Sequence, residues 1–266
     1  MTPDATSSSM NPSPLSLKGR RALVTGGNTG IGAAIAQSLA TNGANVAVNY
    51  VTNAQAAEAV VQGCRDLGSD SFSIAADVSQ ADAVERMFQM VRSRYGGLDV
   101  LINNAGIDGP PNLVWDAKRS DWLRVLEVNL CGAFYCMQQA LVDMIARRSG
   151  VIINITSVHE TMPWKCFSAY AAAKAGLSML SKTAALEAAP HNVRILAVAP
   201  GVVQTTINEN LWEKPKLRDQ LLEKIPLHRM AQPEEIGALV AWLASDAARY
   251  QTGSTVFVDG GLTLYS

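Results

Sequence analysis

Short aliphatic runs alternate along the chain with longer stretches in which apolar residues recur every three or four positions. The short runs are 21–25, 45–50, 71–75, 98–102, 151–156, 193–198 and 255–258. Each is apolar at consecutive positions and is bounded by Gly, Asn, Asp or Pro, the pattern of a strand buried on both faces. Helical periodicity fills the gaps: 31–42 closed by Gly43, 54–67 stopped by Gly68, a helix capped by Ser79 running to about 95, a long region over 120–147, and 169–189. Shorter helices are expected over 205–224. A last helix over 233–244 opens on Pro233, with Glu234 and Glu235 in its first turn to suit the helix dipole. Strand and helix alternate throughout. With right-handed crossovers, that order gives an α/β fold: one doubly wound, Rossmann-type parallel sheet covered by helices on both faces. Residues 1–17 are rich in Ser, Pro and Asn and read as a disordered tail before a single catalytic domain over 18–266.

Composition narrows the partners. The 266 residues are 48% apolar and carry a net charge of −1, with no Lys/Arg-rich block. This argues against nucleic acid or an anionic membrane surface as the main partner. No apolar run approaches the ~20 residues of a membrane helix. Cys64, Cys131, Cys136 and Cys166 form no Cys-x-x-Cys pair and no ligand set with the three histidines. Free thiols in a reducing cytoplasm, and no metal, are expected.

In such a sheet, ligands bind beyond the carboxyl ends of the strands. The unusual residues fall there: the glycine loop Gly26 to Gly32 after the first strand, Asn49-Tyr50 after the second and Asp77-Val78 after the third. Asn103-Asn104-Ala105-Gly106 follows the fourth, Thr156-Ser157 the fifth and Pro200-Gly201 the sixth. The glycine loop lies between a strand and a helix, where missing side chains and free amides admit a pyrophosphate. Its spacing is Gly-x-x-x-Gly-x-Gly rather than Gly-x-Gly-x-x-Gly. The stretch from Ser157 to Lys174 links the fifth strand to the next helix. Tyr170 and Lys174 lie four positions apart, hence on one helix face. A neighbouring cation is expected to lower the Tyr170 pKa and make it an acid/base at neutral pH, with Ser157 holding a substrate oxygen beside it.

Together these motifs resemble the short-chain dehydrogenase/reductase family. They are Thr25-Gly26-Gly27-Asn28-Thr29-Gly30-Ile31-Gly32, Asp77-Val78, Asn103-Asn104-Ala105-Gly106, Asn129, Ser157, Tyr170 with Lys174, and Pro200-Gly201-Val202-Val203-Gln204-Thr205. The resemblance implies that Tyr170 is the general acid/base, that Ser157 orients the reacting oxygen, and that Lys174 binds the nicotinamide ribose. It implies that Asn129 supports a proton relay. The glycine loop (Gly26, Asn28, Thr29, Gly30, Ile31, Gly32) would then hold the pyrophosphate, with Asn104, Ala105 and Gly106 along the adenine-ribose side. Asp77 and Val78 would hold the adenine, and Pro200, Gly201, Val203 and Thr205 the nicotinamide. The second strand ends in Asn49-Tyr50-Val51-Thr52-Asn53, with neither an acid to select NAD nor a base to select NADP. NADP, NAD or both are admitted, with NADP favoured because no acid repels its phosphate.

Within the family, the chain is most similar to bacterial glucose 1-dehydrogenases. The likeness rests on Ser157-Val158-His159-Glu160, Pro163-Trp164, Phe167, Thr206-Ile207-Asn208 and the tail Asp259 to Tyr265. It implies an aldose oxidised to its lactone in a pocket lined by His159, Trp164 and Asn208, Trp164 offering a flat apolar face. Asp108 stands where those enzymes carry a longer acid, and Val51 where they carry Arg. A ketone or 3-oxoacyl thioester reductase is the alternative activity. A nucleotide-binding regulator without turnover is disfavoured by the presence of Ser157, Tyr170 and Lys174. The helix 169–189 is apolar nearly all round, which calls for burial on several sides. The family's subunit contact would supply it in a homotetramer. The segment 204–227 would cover the substrate.

Overall fold

The computed structural model describes residues 15–205 and 214–265. Seven strands form one parallel sheet: β1 (Arg21–Val24), β2 (Asn45–Tyr50), β3 (Phe72–Ala75), β4 (Val100–Asn103), β5 (Gly150–Ile155), β6 (Val193–Pro200) and β7 (Thr255–Val258). Their order is β3-β2-β1-β4-β5-β6-β7. Register is set at the centre, where Leu23 lies between Ala47 of β2 and Leu101 of β4. The order reverses between β1 and β4, and the crevice for a ligand opens there.

The apolar runs are explained by burial on both faces. On one face Ala22, Val24, Val100, Ile102, Ile153 and Val198 pack under α1 (Gly30–Thr41), α2 (Ala54–Asp66) and the C-terminal helix Pro233–Ala244. On the other, Leu23, Leu101, Ile152 and Ile195 pack under α3 (Ala81–Tyr95) and the helices that follow β4 and β5. Strand residues alternate between the two cores, as period-two geometry requires. The C-terminal helix crosses α1 closely at Gly237, where a Cβ would sit 2.7 Å from Ala34 O.

The helical region expected over 120–147 runs unbroken from Arg119 to Arg147: α4 (Arg119–Leu126) passes through a π turn (Glu127–Cys131) into α5 (Gly132–Arg147). This run does reach the length and mean hydropathy of a membrane span. It spends its apolar side on the core, through Val128, Cys136, Met137, Ala140 and Met144. Ser79 does not cap α3. The cap position is Gln80, and the Ser79 hydroxyl donates instead to Asp77 Oδ1 at 2.7 Å. At the boundary expected for the tail, Leu17 is fully buried and its amide donates to Asn42 O. Of the helices expected over 205–224, the structure describes α7 (Pro215–Leu222), and α8 is Pro233–Ala244. Asn208 and the rest of 206–213 lie outside the described residues.

Candidate active site

The β1–α1 loop carries its glycines for steric reasons. Gly26 and Gly30 have φ of 58° and 52°, in the left-handed region. At Gly32 a Cβ would fall 2.6 Å from Asn104 Nδ2 and overlap Gly26 O. Thr29 sits at the N-cap of α1 without a side-chain cap, and no acidic residue lies in the first turn. The helix start therefore presents free amides and positive dipole charge to whatever occupies the loop. A cradle that one methyl would fill, facing unsatisfied donors, fits a pyrophosphate.

Residues expected to touch a cofactor turn out to build this cradle. Asn49 is fully buried; its Oδ1 accepts from Gly26 N at 3.2 Å, and its Nδ2 donates to Ile74 O and Ala76 O. Asn104 Nδ2 donates to Thr25 O and Gly26 O, each at 3.0 Å. Thr25, which no side-chain chemistry had singled out, accepts the amides of Asn104 and Ala105 on its hydroxyl. Asn28 Nδ2 ties the loop to Thr52 O at 3.0 Å. Beyond β2, Tyr50 packs against the core while Val51 is exposed and uncharged. Thr205 closes over Gly30, where a Cβ would meet its methyl at 3.3 Å. Gly201 lies against Asp259 after β7, and Val203 is buried. Asp77 is held on both oxygens, by Ser79 and by Arg124 Nη2 at 2.8 Å, and Val78 is buried.

Asn129, Ser157, Tyr170 and Lys174 converge at the ends of β4 and β5. The connection after β5 turns at Ser157 and Val158–Glu160, then enters α6 (Ser168–Ala188), which holds Tyr170 and Lys174 on one face. Lys174 is buried; Nζ donates to Ile155 O at 2.9 Å and lies 5.5 Å from the Tyr170 ring centroid. Burial lowers the Lys174 pKa to about 8. Asn129 sits in the π turn, a helix distortion common at functional positions. Its Nδ2 donates to Ile107 O and Val125 O at 2.8 and 2.9 Å, and its buried Oδ1 has no partner among the described residues. A Cβ on Gly106 would sit 2.6 Å from that oxygen and 3.5 Å from Lys174 Nζ, so both groups border the same space.

The Tyr170 pKa does not fall as the Lys174 spacing suggested. Burial pushes it up to about 12, the Ser157 hydroxyl pulls the other way by hydrogen bonding to the phenol, and Asp108 adds to the rise. The Lys174 ammonium donates to Ile155 O and lies over the Tyr170 ring.

The outer wall is aromatic. Trp164 stacks on His159 (centroids 4.5 Å apart, planes at 11°) and on Phe167 (4.0 Å, 25°). Two parallel rings this near one indole would collide on a single face, so they sandwich it. Trp164 therefore turns an edge, not the expected flat face, toward Tyr170 (5.5 Å, 82°). His159 Nδ1 lies 3.2 Å from Met162 O, and burial holds the imidazole below its usual pKa. Asp108 is half-buried after β4. Burial raises its pKa, while the charges of Lys174 and His159 lower it. No His/Cys/Asp/Glu group suited to a metal occurs among the described residues.

This geometry is shared with known proteins. The family model described as enoyl-(acyl carrier protein) reductase matches residues 26–263. The chain is 42% identical to 3beta-hydroxysteroid dehydrogenase 1 of Eggerthella lenta, over 94% of this chain and 95% of that protein. It is 44% identical to the 3-oxoacyl-(acyl-carrier-protein) reductase FabG of Staphylococcus epidermidis, over 91% and 98%. It is 37% identical to glucose 1-dehydrogenase 2 of Bacillus subtilis, over 94% and 96%. In structure it matches a gluconate 5-dehydrogenase from Burkholderia cenocepacia, solved with NADP and tartrate, with a TM-score of 0.89 and 34% identity over 94% and 98% of the chains. With its parallel sheet, glycine cradle and Ser157–Tyr170–Lys174 cluster, the chain belongs to the short-chain dehydrogenase/reductase family, enzymes that use NAD or NADP.

Proposed function

We propose that this enzyme is an NAD(P)-dependent dehydrogenase of a sugar or related polyol, an aldose oxidised at its anomeric carbon. The observation that carries this reading is the pair of half-buried polar groups beside the Tyr170–Lys174 centre: Asp108, whose charge acts on both, and His159, whose ring lies edge-on to Tyr170 with centroids 6.3 Å apart. A polyol has hydroxyls beside the reacting one, and buried polar groups find partners only on such a substrate. The glycine loop of Gly26, Gly30 and Gly32 holds the pyrophosphate, Asp77 and Val78 face the adenine, Lys174 the nicotinamide ribose, and Pro200 to Thr205 the nicotinamide. The uncharged end of β2 accepts either cofactor, with NADP preferred. Asn208 and a cover formed by 204–227 remain expectations of the resemblance, since 206–213 lie outside the described residues.

The residues divide the work. Ser157 holds the reacting oxygen beside Tyr170 Oη. Tyr170 takes the hydroxyl proton in oxidation and returns it to the carbonyl oxygen in reduction. Asn129, with its free Oδ1 bordering Lys174, passes the proton outward through water. When bound, the nicotinamide supplies the hydride acceptor, and in its oxidised form a positive charge that favours the phenolate.

One observation favours a second reading. With its pKa held at about 12 by burial, Tyr170 carries its proton at neutral pH, the form that reduction of a ketone or 3-oxoacyl thioester draws on. Initial rates with NAD and NADP on aldoses, polyols and secondary alcohols, and with NADH and NADPH on carbonyls, decide between them. Turnover confined to aldoses supports the sugar reading; carbonyl reduction with no sugar turnover moves the function to the reductase.

Assembly belongs to the same proposal. Leu123, Phe134, Val142, Met179 and Leu186 are exposed on α4, α5 and α6. Between α5 and α6 lies an apolar groove of about 330 Å³, lined by Met137, Leu141, Ile145 and Leu180 among others. These unpartnered apolar faces are what a homotetramer, or next a dimer, would cover, and light scattering reads which. The four free cysteines suit a reducing cytoplasm.

A further inference from the structure

The π turn that carries Asn129 is gripped on both sides by one loop. That loop, Asp77-Val78-Ser79, follows β3 and is the one expected to face the adenine. On the N-terminal side of the turn, Arg124 of α4 reaches Asp77 Oδ2 through Nη2 at 2.8 Å. Its Nη1 donates to Ser79 Oγ, and the Ser79 amide and hydroxyl both donate to Asp77 Oδ1. On the C-terminal side, Gly132 opens α5 against Val78: a Cβ there would lie 2.8 Å from Val78 Cγ2 and 3.0 Å from its carbonyl oxygen. Between these two contacts, Asn129 spans from Val125 O to Ile107 O.

A π turn has poorer hydrogen-bond geometry than the α-helix around it, so its shape depends on what holds its flanks. Arg124 is suited to this. Its planar fork places two donors at once on a fixed acceptor pair. The side chains of Arg124 and Asp77 are 42% and 28% accessible, so the pair adds little to stability. Glu127 Oε2 also approaches Arg124, at 3.8 Å, within the same helix. What the pair supplies is position.

We propose that Arg124 is a positioning residue of the proton relay: by locking α4 to the Asp77–Ser79 loop, it holds the π turn in the shape that aims Asn129 at the space beside Gly106 and Lys174. The proposal rests on the oxidoreductase reading. It also makes the adenine-side loop and the proton path mechanically continuous, although they lie on different elements.

The test uses the full chain with saturating dinucleotide and a substrate identified by the rate panel above. Arg124→Met should lower kcat roughly 10- to 100-fold, the cost of a misplacement of about 1 Å at a reacting centre. It should also raise the solvent deuterium isotope effect on kcat, because proton transfer becomes slower than the other steps. Arg124→Lys keeps the charge and one donor and should recover part of kcat. A raised cofactor KM with unchanged kcat and isotope effect would assign Arg124 to the adenine pocket alone and overturn the proposal. If Arg124→Met fails to fold, Arg124→Gln, which retains a donor, carries the same comparison. Tyr170→Phe run in parallel separates the two modes of failure. Retained turnover there removes the proton-transfer reading, whereas its loss beside full kcat in Arg124→Met removes only the brace.

Discussion

Gly32→Ala tests the cofactor cradle. The added Cβ would sit 2.6 Å from Asn104 Nδ2 and 3.0 Å from Gly26 C, and would overlap Gly26 O. Those atoms are joined by the Asn104–Gly26 hydrogen bond, and Asn104 also holds Thr25 O. The methyl therefore displaces either the loop or the Asn104 side chain. Losing two part-buried hydrogen bonds costs ~1 kcal/mol each, and residual crowding adds ~1 kcal/mol. At roughly 2–4 °C per kcal/mol for a domain of this size, the melting temperature should fall by ~6–12 °C. Misaligning two amide-to-phosphate bonds costs a further ~3 kcal/mol of binding, or ~100-fold in cofactor Kd. The control is Gly68→Ala. Gly68 has φ of 85° and no atom within 4 Å of where its Cβ would sit, so it carries the left-handed penalty of ~1 kcal/mol with no cradle to disturb. Kd is read by titration calorimetry and stability by thermal melting. If Gly32→Ala binds NADP as the wild type does and melts like Gly68→Ala, the loop does not seat the pyrophosphate.

Two charged residues give predictions of opposite sign. Lys174 has its pKa lowered by burial to about 8 from 10.5, so its protonated form opposes folding below that range and stability is regained as pH rises from about 8 to 10.5. Lys174→Met should gain ~2–3 kcal/mol at pH 7 by melting while losing turnover, a site maintained at the expense of stability. For Asp99, burial raises the pKa, but hydrogen bonds from Arg21 and Arg147 outweigh it and hold the group at about 2 against 3.8. Its contribution of ~2 kcal/mol is present above about pH 4 and lost as pH falls toward 2. Asp99→Asn should be destabilised at pH 7 in urea melts, with the difference from wild type shrinking at pH 2.

The fold was legible because the five central strands, β1, β2, β4, β5 and β6, are buried on both sides and so read as apolar runs, from Ala22-Leu23-Val24 to Ile195-Leu196-Ala197-Val198. The site was legible because its residues stand at strand ends and at helical spacing: Ser157 after β5, and Tyr170 and Lys174 on one face of α6. What escaped were effects that depend on distance rather than on order. Asn49 and Asn104 sit where a cofactor contact was expected, yet their amides are spent on the glycine loop. The rise in the Tyr170 pKa comes from burial, which a four-residue spacing does not report. Trp164 was expected to offer a face, but His159 and Phe167 cover both faces once the chain turns at Cys166, which has φ of 72°. Arg124 carried no local signal at all, since its partner Asp77 is 47 positions away.

Turnover depends above all on Tyr170 as the group that moves the proton. Tyr170→Phe removes one oxygen and leaves the ring packed against Trp164 and His159. Steady-state kcat and the dissociation constant for NADP, measured on the same preparation, test the claim directly. The predicted result is a loss of kcat of at least ~10³-fold, with Kd within about threefold of wild type. Turnover near the wild-type rate, with binding intact, would contradict it.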